Sequence, residues 1–230
     1  RASYCFVNWN TKVDGSGISY SNEQELMISK NITLYANWKA VDCKNYEYVD
    51  LGLSVLWSTC NIGASKPEGY GSYFAWGETY TKSNYTTPTY AYYINGGGVT
   101  KYCTNSSYGM IDNKTILDAT DDVARVKWGG NWRIPTSAEI SELRAKCSWT
   151  WTTNGYKVTS KINGNSIFLP AAGYKSGTSS TNVGYGYYWT NSLYTLGSDY
   201  NAIVLWFYSS KVESNGLERW YGGSVRPVCR

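Results

Sequence analysis

Acid–base chemistry in this chain would rest on carboxylates, because the sequence contains no histidine. That absence removes the most common general base, the usual partner of a catalytic serine or cysteine, and the most common zinc ligand. Asp121 and Asp122 stand before an apolar run at 123–128, and Glu139 follows Thr136 at the spacing of a capping box. These are positions of helix-capping carboxylates rather than of a catalytic pair. The sequence therefore predicts a protein that is not an enzyme.

Cysteines are the other groups that could do chemistry, and they are widely spaced. Six are present, at positions 5, 43, 60, 103, 147 and 229. The sequence has no Cys-x-x-Cys pair, which argues against a zinc knuckle or a thioredoxin-type site. Wide spacing fits long-range disulfides in an exported protein, and buried free thiols are the alternative. The pairing stays open at this point.

Composition narrows the kinds of partner. The chain has 23 Tyr and 11 Trp against 4 Phe. Tyr and Trp suit half-hydrated recognition surfaces, although a β-rich protein can also carry them on exposed strands. A net charge of +4, spread without a charged run, predicts no nucleic-acid partner. The longest apolar run, 202–208, is far too short to span a bilayer, so we expect no membrane insertion by this chain.

Residues 1–40 predict a small β-rich fragment. Turn-forming residues fill 10–17, and the stretch 32–38 alternates as a half-buried strand does, with one face made of Ile32, Leu34, Ala36 and Trp38. Three patterns in this region are Phe-x-x-Trp-Asn-Thr, Asp-Gly-x-Gly and Thr-Leu-Tyr-Ala-x-Trp. Together they resemble the later part of the Listeria–Bacteroides repeat. The resemblance implies a stalk or spacer, with the repeat's opening strand and helix expected upstream.

A polar linker is predicted at 41–47, followed by a second unit over 48–230. Its first strand is indicated by alternating apolar residues, namely Leu51, Leu53, Val55 and Trp57. A long polar excursion at 77–116 is a candidate functional loop. Two short helices are predicted, at 123–128 and after the capping box Thr136/Glu139, and strands follow to the end. This order is typical of an α+β fold with a mostly antiparallel, twisted sheet.

Four segments of the second unit occur in a characteristic order. They are Gly-Gly-Asn-Trp-Arg-Ile-Pro-Thr at 129–136, Phe-Leu-Pro-Ala-Ala-Gly at 168–173, Tyr-Trp at 188–189 and Ser-Val-Arg-Pro-Val at 224–228. With the helix after the first segment, they resemble the Fibrobacter succinogenes major paralogous domain. The resemblance implies a C-type-lectin-like fold over 48–230, shared with the distantly related formylglycine-generating enzymes. It also implies bacterial surface display and ligand binding.

The sequence departs from true C-type lectins at the calcium site. Those proteins bind calcium through Glu-Pro-Asn or Gln-Pro-Asp and a Trp-Asn-Asp run, which supply oxygen ligands. Neither pattern is present, and the nearest tripeptide, Lys66-Pro67-Glu68, carries a lysine that would repel the ion and is better suited to open a short helix. We therefore expect no metal and no cofactor.

The candidate ligand-binding surface lies in 185–221, where Tyr and Trp alternate with Asn, Asp and Ser. Strand alternation predicts Ile203, Leu205 and Phe207 towards the core, with Trp206 and Tyr208 exposed on the opposite face. Trp189 is predicted to be core. The candidate ligand-binding residues are Tyr185, Tyr187, Asn191, Tyr194, Asp199, Tyr200, Trp206, Tyr208, Trp220 and Tyr221.

Two functions follow from these patterns. The first is a secreted or surface-displayed bacterial ligand-binding module of the adhesin type, which recognises an extracellular glycan or protein. The alternative is a purely structural tip or spacer domain of a larger surface protein. Whether the aromatic residues after 185 converge on one exposed patch distinguishes the two.

Overall fold

The computed structural model describes residues 4–21, 24–29, 31–40, 43 and 45–230. The chain divides into two compact units, which are Arg1–Asp42 with Arg230, and Cys43–Cys229. We call them the first unit and the second unit. Their boundary falls inside the predicted linker at 41–47, of which 41, 42 and 44 lie outside the described residues.

The first unit contains an antiparallel three-stranded sheet in the order β2-β1-β3, with bounds β1 Tyr4–Asn10, β2 Ser19–Tyr20 and β3 Tyr35–Ala40. The buried side chain of Asn10 accepts the backbone N–H groups of Lys12 and Gly17, both at 2.9 Å, and so forms the predicted turn. The strand predicted at 32–38 begins only at Tyr35. Tyr35 pairs with Asn10 at the end of β1, so residues before Tyr35 run past the end of their partner strand.

The second unit is built mostly from antiparallel strands. In chain order these are β4 Tyr48–Val49, β5 Leu56–Ser58, β6 Tyr93–Ile94, β7 Gly98–Val99, β8 Trp132–Arg133, β9 Cys147–Thr152, β10 Gly155–Ser160, β11 Ser166–Pro170, β12 Tyr174–Ser176, β13 Ser179–Thr181, β14 Gly186–Leu193, β15 Asn201–Tyr208, β16 Lys211–Glu218 and β17 Val228–Cys229. The helices are α1 Val123–Trp128 and α2 Ser137–Lys146, with a 3₁₀ turn at Thr87–Thr89.

The strands form three larger sheets and two hairpins. The sheets have the orders β4-β5-β17-β8, β11-β10-β9 and β14-β15-β16, and the hairpins are β6-β7 and β12-β13. The neighbouring strands in them pair antiparallel. Few helices with mostly antiparallel sheets agree with the α+β class predicted from the order of elements. Neither helix of the described residues has the length and apolarity needed to cross a membrane.

Both predicted helices are present and begin at the predicted caps. The Asp122 carboxylate accepts the N–H groups of Ala124 and Arg125, at 2.9 and 3.1 Å, and so caps α1. At α2, the Glu139 N–H donates to the Thr136 hydroxyl at 3.1 Å, and the Thr136 N–H donates to the Glu139 carboxylate at 2.8 Å. These reciprocal bonds form the predicted capping box.

Two local predictions for the start of the second unit were wrong. The strand expected across Leu51–Trp57 is irregular until Leu56, because the Asp50 carboxylate accepts the Gly52 N–H at 2.7 Å and Gly52 turns the chain with a φ of 68°. Lys66-Pro67-Glu68 forms a turn rather than a helix, since the Gly69 N–H bonds back to the Lys66 carbonyl and the chain turns away.

A disulfide between Cys43 and Cys229 links the two ends of the second unit. Cys103 and Cys147 are buried free thiols, and Cys60 is a half-buried one. The side chain of Cys5 lies outside the described residues. The described cysteines thus include one long-range disulfide and two buried free thiols, so each of the two expectations holds for some of them.

The sheet β14-β15-β16 lies between two hydrophobic clusters, which is why β14 is buried along its whole length. Leu205 and Phe207 pack on one face, with Ile140 and Leu143 of α2. Val204 belongs to the cluster on the other face, whose largest members include Trp76, Tyr102 and Trp189. Trp189 is core, as predicted, and its indole N–H donates to the Phe74 carbonyl at 2.7 Å.

Candidate ligand-binding surface

The predicted alternation along β15 is present, but its outer face is not open to solvent along the whole strand. Val204, Trp206 and Tyr208 share one face, and Leu205 and Phe207 lie on the other. Val204 is buried, and only towards the end of the strand are Trp206 and Tyr208 partly exposed. Trp206 and Tyr208 were predicted to be freely exposed, but they are half-buried. The reason is that a second hydrophobic cluster covers the start of that face.

Asp199 and Asn191, two predicted site residues, are buried and occupied by internal hydrogen bonds. The Asp199 carboxylate accepts the N–H groups of Thr104 and Asn105 at 2.6 and 2.9 Å, and so binds the excursion at 77–116 to the loop before β15. The side-chain oxygen of Asn191 accepts the Ser192 hydroxyl at 3.0 Å, and the residue is 8% exposed. Both predictions are wrong, because groups that are buried and already paired cannot contact a ligand.

Tyr194 lies on the other side of the sheet from Trp206. Its ring covers the backbone of Gly216, where an added Cβ would meet the ring at 3.2 Å. Gly216 pairs with Ile203, which points to the face opposite Trp206. Tyr194 is therefore removed from the candidate surface.

The remaining predicted aromatics lie in two groups of contacting rings, which together we call the aromatic tract. Centroid distances along it are 5.3 Å for Tyr208–Trp206, 4.8 Å for Tyr187–Tyr174, 5.1 Å for Tyr174–Tyr221, 6.1 Å for Tyr221–Trp220 and 5.9 Å for Trp220–Tyr200. Tyr187 and Trp206 are direct partners across β14 and β15, which joins the two halves. Tyr185 stacks beside Trp206 at 6.2 Å. The tract thus begins at the end of β15, passes over β14 to Tyr174 of β12, and returns to Tyr200 just before the start of β15.

All members of the aromatic tract except Tyr187 are half-buried. Tyr187 is buried beneath the others, and its hydroxyl accepts the Asn182 amide at 3.1 Å. Tyr187 was predicted to contact ligand, but its buried ring packs beneath the others and supports them instead. Because the partly exposed rings pack against one another, they are held in place before any ligand arrives.

Sequence reasoning missed three rings. Tyr174 on β12 connects Tyr187 with Tyr221, and Tyr108 and Tyr93 of the excursion contact Tyr200 at 5.1 and 6.3 Å. The length of the excursion was the only available signal for Tyr93 and Tyr108. No local pattern marks Tyr174, because its neighbours in the tract are distant in sequence.

A buried arginine positions one end of the aromatic tract. Arg219 precedes Trp220, is fully buried, and has its guanidinium carbon 4.9 Å from the Trp76 ring centroid. It donates to the carbonyl of Asp199 at 3.0 Å and to that of Tyr102 at 3.1 Å. The loop carrying Tyr200 and the excursion are therefore tied to the residue next to Trp220.

The carboxylates considered for acid–base chemistry, Asp121, Asp122 and Glu139, form hydrogen bonds within the fold. Asp121 is held by Lys101 and by the Tyr102 hydroxyl. Although burial opposes ionisation, hydrogen bonds from Arg133 hold the pKa of Glu139 below its usual range. Burial raises the pKa of Asp122, despite three backbone N–H donors. None of these groups belongs to the aromatic tract.

Comparisons of the chain with protein-family models, with curated proteins and with solved structures found no match. We therefore classify the second unit by the architecture of its described residues. It is an α+β unit of mostly antiparallel sheets with two groups of half-buried aromatic rings beside β15.

Proposed function

We propose that this chain is a non-enzymatic ligand-binding module, secreted by a bacterium or displayed on its outer surface, that recognises an extracellular glycan or protein. The single observation that carries the proposal is the aromatic tract. Six of the ten residues predicted for ligand contact, namely Tyr185, Tyr200, Trp206, Tyr208, Trp220 and Tyr221, lie in it as half-buried rings.

The arrangement of these rings supports recognition over a purely structural role. Rigid Tyr and Trp side chains offer contact area at a low cost in conformational entropy. Rings needed only for packing would be buried as Trp189 is, whereas Trp206 and Tyr221 keep part of their surface in solvent. A preordered, partly wet aromatic line is the feature expected of a binding surface.

The proposal extends to the identity of the two units. For the second unit we propose a C-type-lectin-like domain of the Fibrobacter major paralogous type. Its support is the placement of the shared segments, since Trp132-Arg133 forms β8 beside β17 and the capping box then starts α2. For the first unit we propose a partial Listeria–Bacteroides repeat, supported by the turn that Asn10 organises.

An array of glycans and cell-surface proteins, probed with the full chain, tests the binding role. The chain is compared with the double variant Tyr174→Ala/Tyr221→Ala and with Tyr80→Ala, a tyrosine that is 51% exposed and outside the tract. We expect binding by the wild type and by Tyr80→Ala, and a loss of at least about tenfold in affinity for the double variant. Thermal unfolding of each variant controls for folding.

The spacer alternative makes the opposite prediction. A spacer would retain no ligand on the array. If ligands are retained but the double variant binds as tightly as the wild type while both remain folded, binding occurs at another surface. Each outcome would remove the recognition role from the aromatic tract.

A further inference from the structure

We infer that the aromatic tract binds a neutral polysaccharide chain, which lies along several of its rings at once. This inference rests on the proposed function, which leaves the choice between glycan and protein open. Three properties of the tract carry it: its charge, its shape and its free hydroxyl groups.

The described residues of the tract carry no continuous run of cations. The Lys211 ammonium lies 5.4 Å from the Trp206 ring centroid and 2.9 Å from a carboxylate oxygen of Glu213, so an acid neutralises this cation. At the other side, the Lys175 ammonium bonds to the Ser180 hydroxyl at 2.8 Å. Single-stranded nucleic acids and acidic polysaccharides need a line of cations along the stacking rings. The described residues of the tract do not form one, which favours an uncharged ligand.

The shape of the tract favours a chain over a folded protein. Its partly exposed rings extend from Tyr208 and Trp206 at the end of β15 to Tyr200 just before its start, and contacting rings have centroids 4.8 to 6.2 Å apart. A stable protein interface needs a broad buried area, on the order of 1,200–2,000 Å², with an apolar centre. Partly exposed rings spread along the length of a strand match an extended polymer of sugars, whose C–H faces pack on the electron-rich faces of aromatic rings.

The hydroxyl groups of the tract match those of a sugar. In the part of the chain that the structure describes, no hydrogen bond engages the hydroxyls of Tyr174, Tyr208 and Tyr221. Burial raises the pKa of Tyr174 and of Tyr200, so these groups remain neutral phenols at physiological pH. A neutral phenol both donates and accepts, which complements the paired donors and acceptors of a polysaccharide.

The tract is longer than a single sugar would require. Beyond Trp220 it continues through Tyr200 to Tyr108 and Tyr93, which belong to the excursion at 77–116. The ligand should therefore span successive rings, and its affinity should depend on its length.

Calorimetric titration of the full chain with size series of neutral oligosaccharides tests this. The probes are fragments of soluble β-glucan, xylan, mannan and arabinan, from single sugars upward. We expect affinity to rise with chain length, single sugars to bind at least about tenfold more weakly than the longest fragments, and high salt to have little effect. Tyr221→Phe, which removes one hydroxyl, should weaken binding, whereas Tyr80→Ala should not.

Failures of the two proposals are distinguishable. If none of the neutral series binds, or if only acidic polysaccharide or single-stranded DNA binds in a salt-sensitive way, the neutral-chain inference is overturned. Tract-dependent capture of a protein alone also overturns it, but leaves the proposed binding function intact. If oligosaccharides bind and Tyr174→Ala/Tyr221→Ala binds them equally well, the inference about the tract is overturned, and the chain is a glycan-binding module that uses another surface.

Discussion

The guanidinium group of Arg219 lies against the ring of Trp76, with 4.9 Å between the guanidinium carbon and the ring centroid. The group is fully buried, yet its hydrogen-bond partners are neutral: the Tyr90 hydroxyl and the carbonyls of Lys101, Tyr102 and Asp199. Aromatic faces and carbonyl oxygens together stabilise the buried positive charge. This cation therefore joins the excursion, the loop before β15 and the end of β16.

Arg219→Met should lower the free energy of unfolding by at least about 3 kcal/mol, because it leaves several buried carbonyl groups without donors. Urea denaturation measures the loss. Arg125→Met is the matched control, since Arg125 makes one longer bond to the Gly130 carbonyl and should change stability by no more than about 0.5 kcal/mol. Equal effects of the two substitutions would show that Arg219 does not hold these segments together.

Trp206→Ala should abolish ligand binding with a loss of stability below the roughly 3–5 kcal/mol typical of a core tryptophan. The reason is that Trp206 is half-buried, packing on the cluster beneath it while part of the ring faces solvent. Binding and unfolding are measured on the same preparation, beside Tyr80→Ala. A loss of about 3–5 kcal/mol would show that Trp206 is a core residue and not part of the ligand surface.

Thr136→Ala should cost about 0.5–2 kcal/mol, because the hydroxyl that accepts the Glu139 N–H at the start of α2 is removed. The shift of the denaturation midpoint gives the value. Ser141→Ala, within the same helix and exposed, is the control and should be nearly neutral. Identical midpoints for wild type and Thr136→Ala would show that the cap is not stabilising.

Stability should fall in acid partly through Glu139. Although burial favours the neutral form, hydrogen bonds and charge from Arg133 hold the pKa of Glu139 below its usual value of 4.5. A lowered folded-state pKa contributes stability above about pH 4.5, and this is lost as the pH falls through the folded-state pKa. Glu139→Gln should therefore be less stable than wild type near neutral pH, and the difference should shrink in acid.

Urea unfolding across this pH range measures the difference. Glu47→Gln, at an exposed position, is the control. A constant difference between wild type and Glu139→Gln at every pH would contradict the linkage.

Reduction of the Cys43–Cys229 disulfide should destabilise the second unit by roughly 2–5 kcal/mol, because the bond closes a loop between residues 186 apart in sequence. Chemical denaturation with and without reductant gives the change. Reductant should have no such effect on the double variant Cys43→Ser/Cys229→Ser. Cys60→Ser, which removes a half-buried free thiol, should retain the response to reductant.

Local features of this protein were predictable from the sequence. The capping box joins Thr136 and Glu139 within one helical turn, and the turn at Asn10 closes within a few residues. The opposite facing of Leu205 and Trp206 follows from the two-residue period of a strand. Interactions of this range depend on the backbone geometry of one element, which residue types and spacing specify.

Tertiary structure alone decided which of these residues meet solvent and which meet each other. Alternation shows that Val204 and Leu205 point to opposite faces, but both are buried because clusters cover both sides of the sheet. Likewise, the Asp199 carboxylate is engaged by backbone N–H groups of the excursion. Tyr174 contacts Tyr221 only because β12 lies beside the chain segment that follows β16. Such contacts join residues far apart in sequence, and chain folding sets them through packing that no local pattern records.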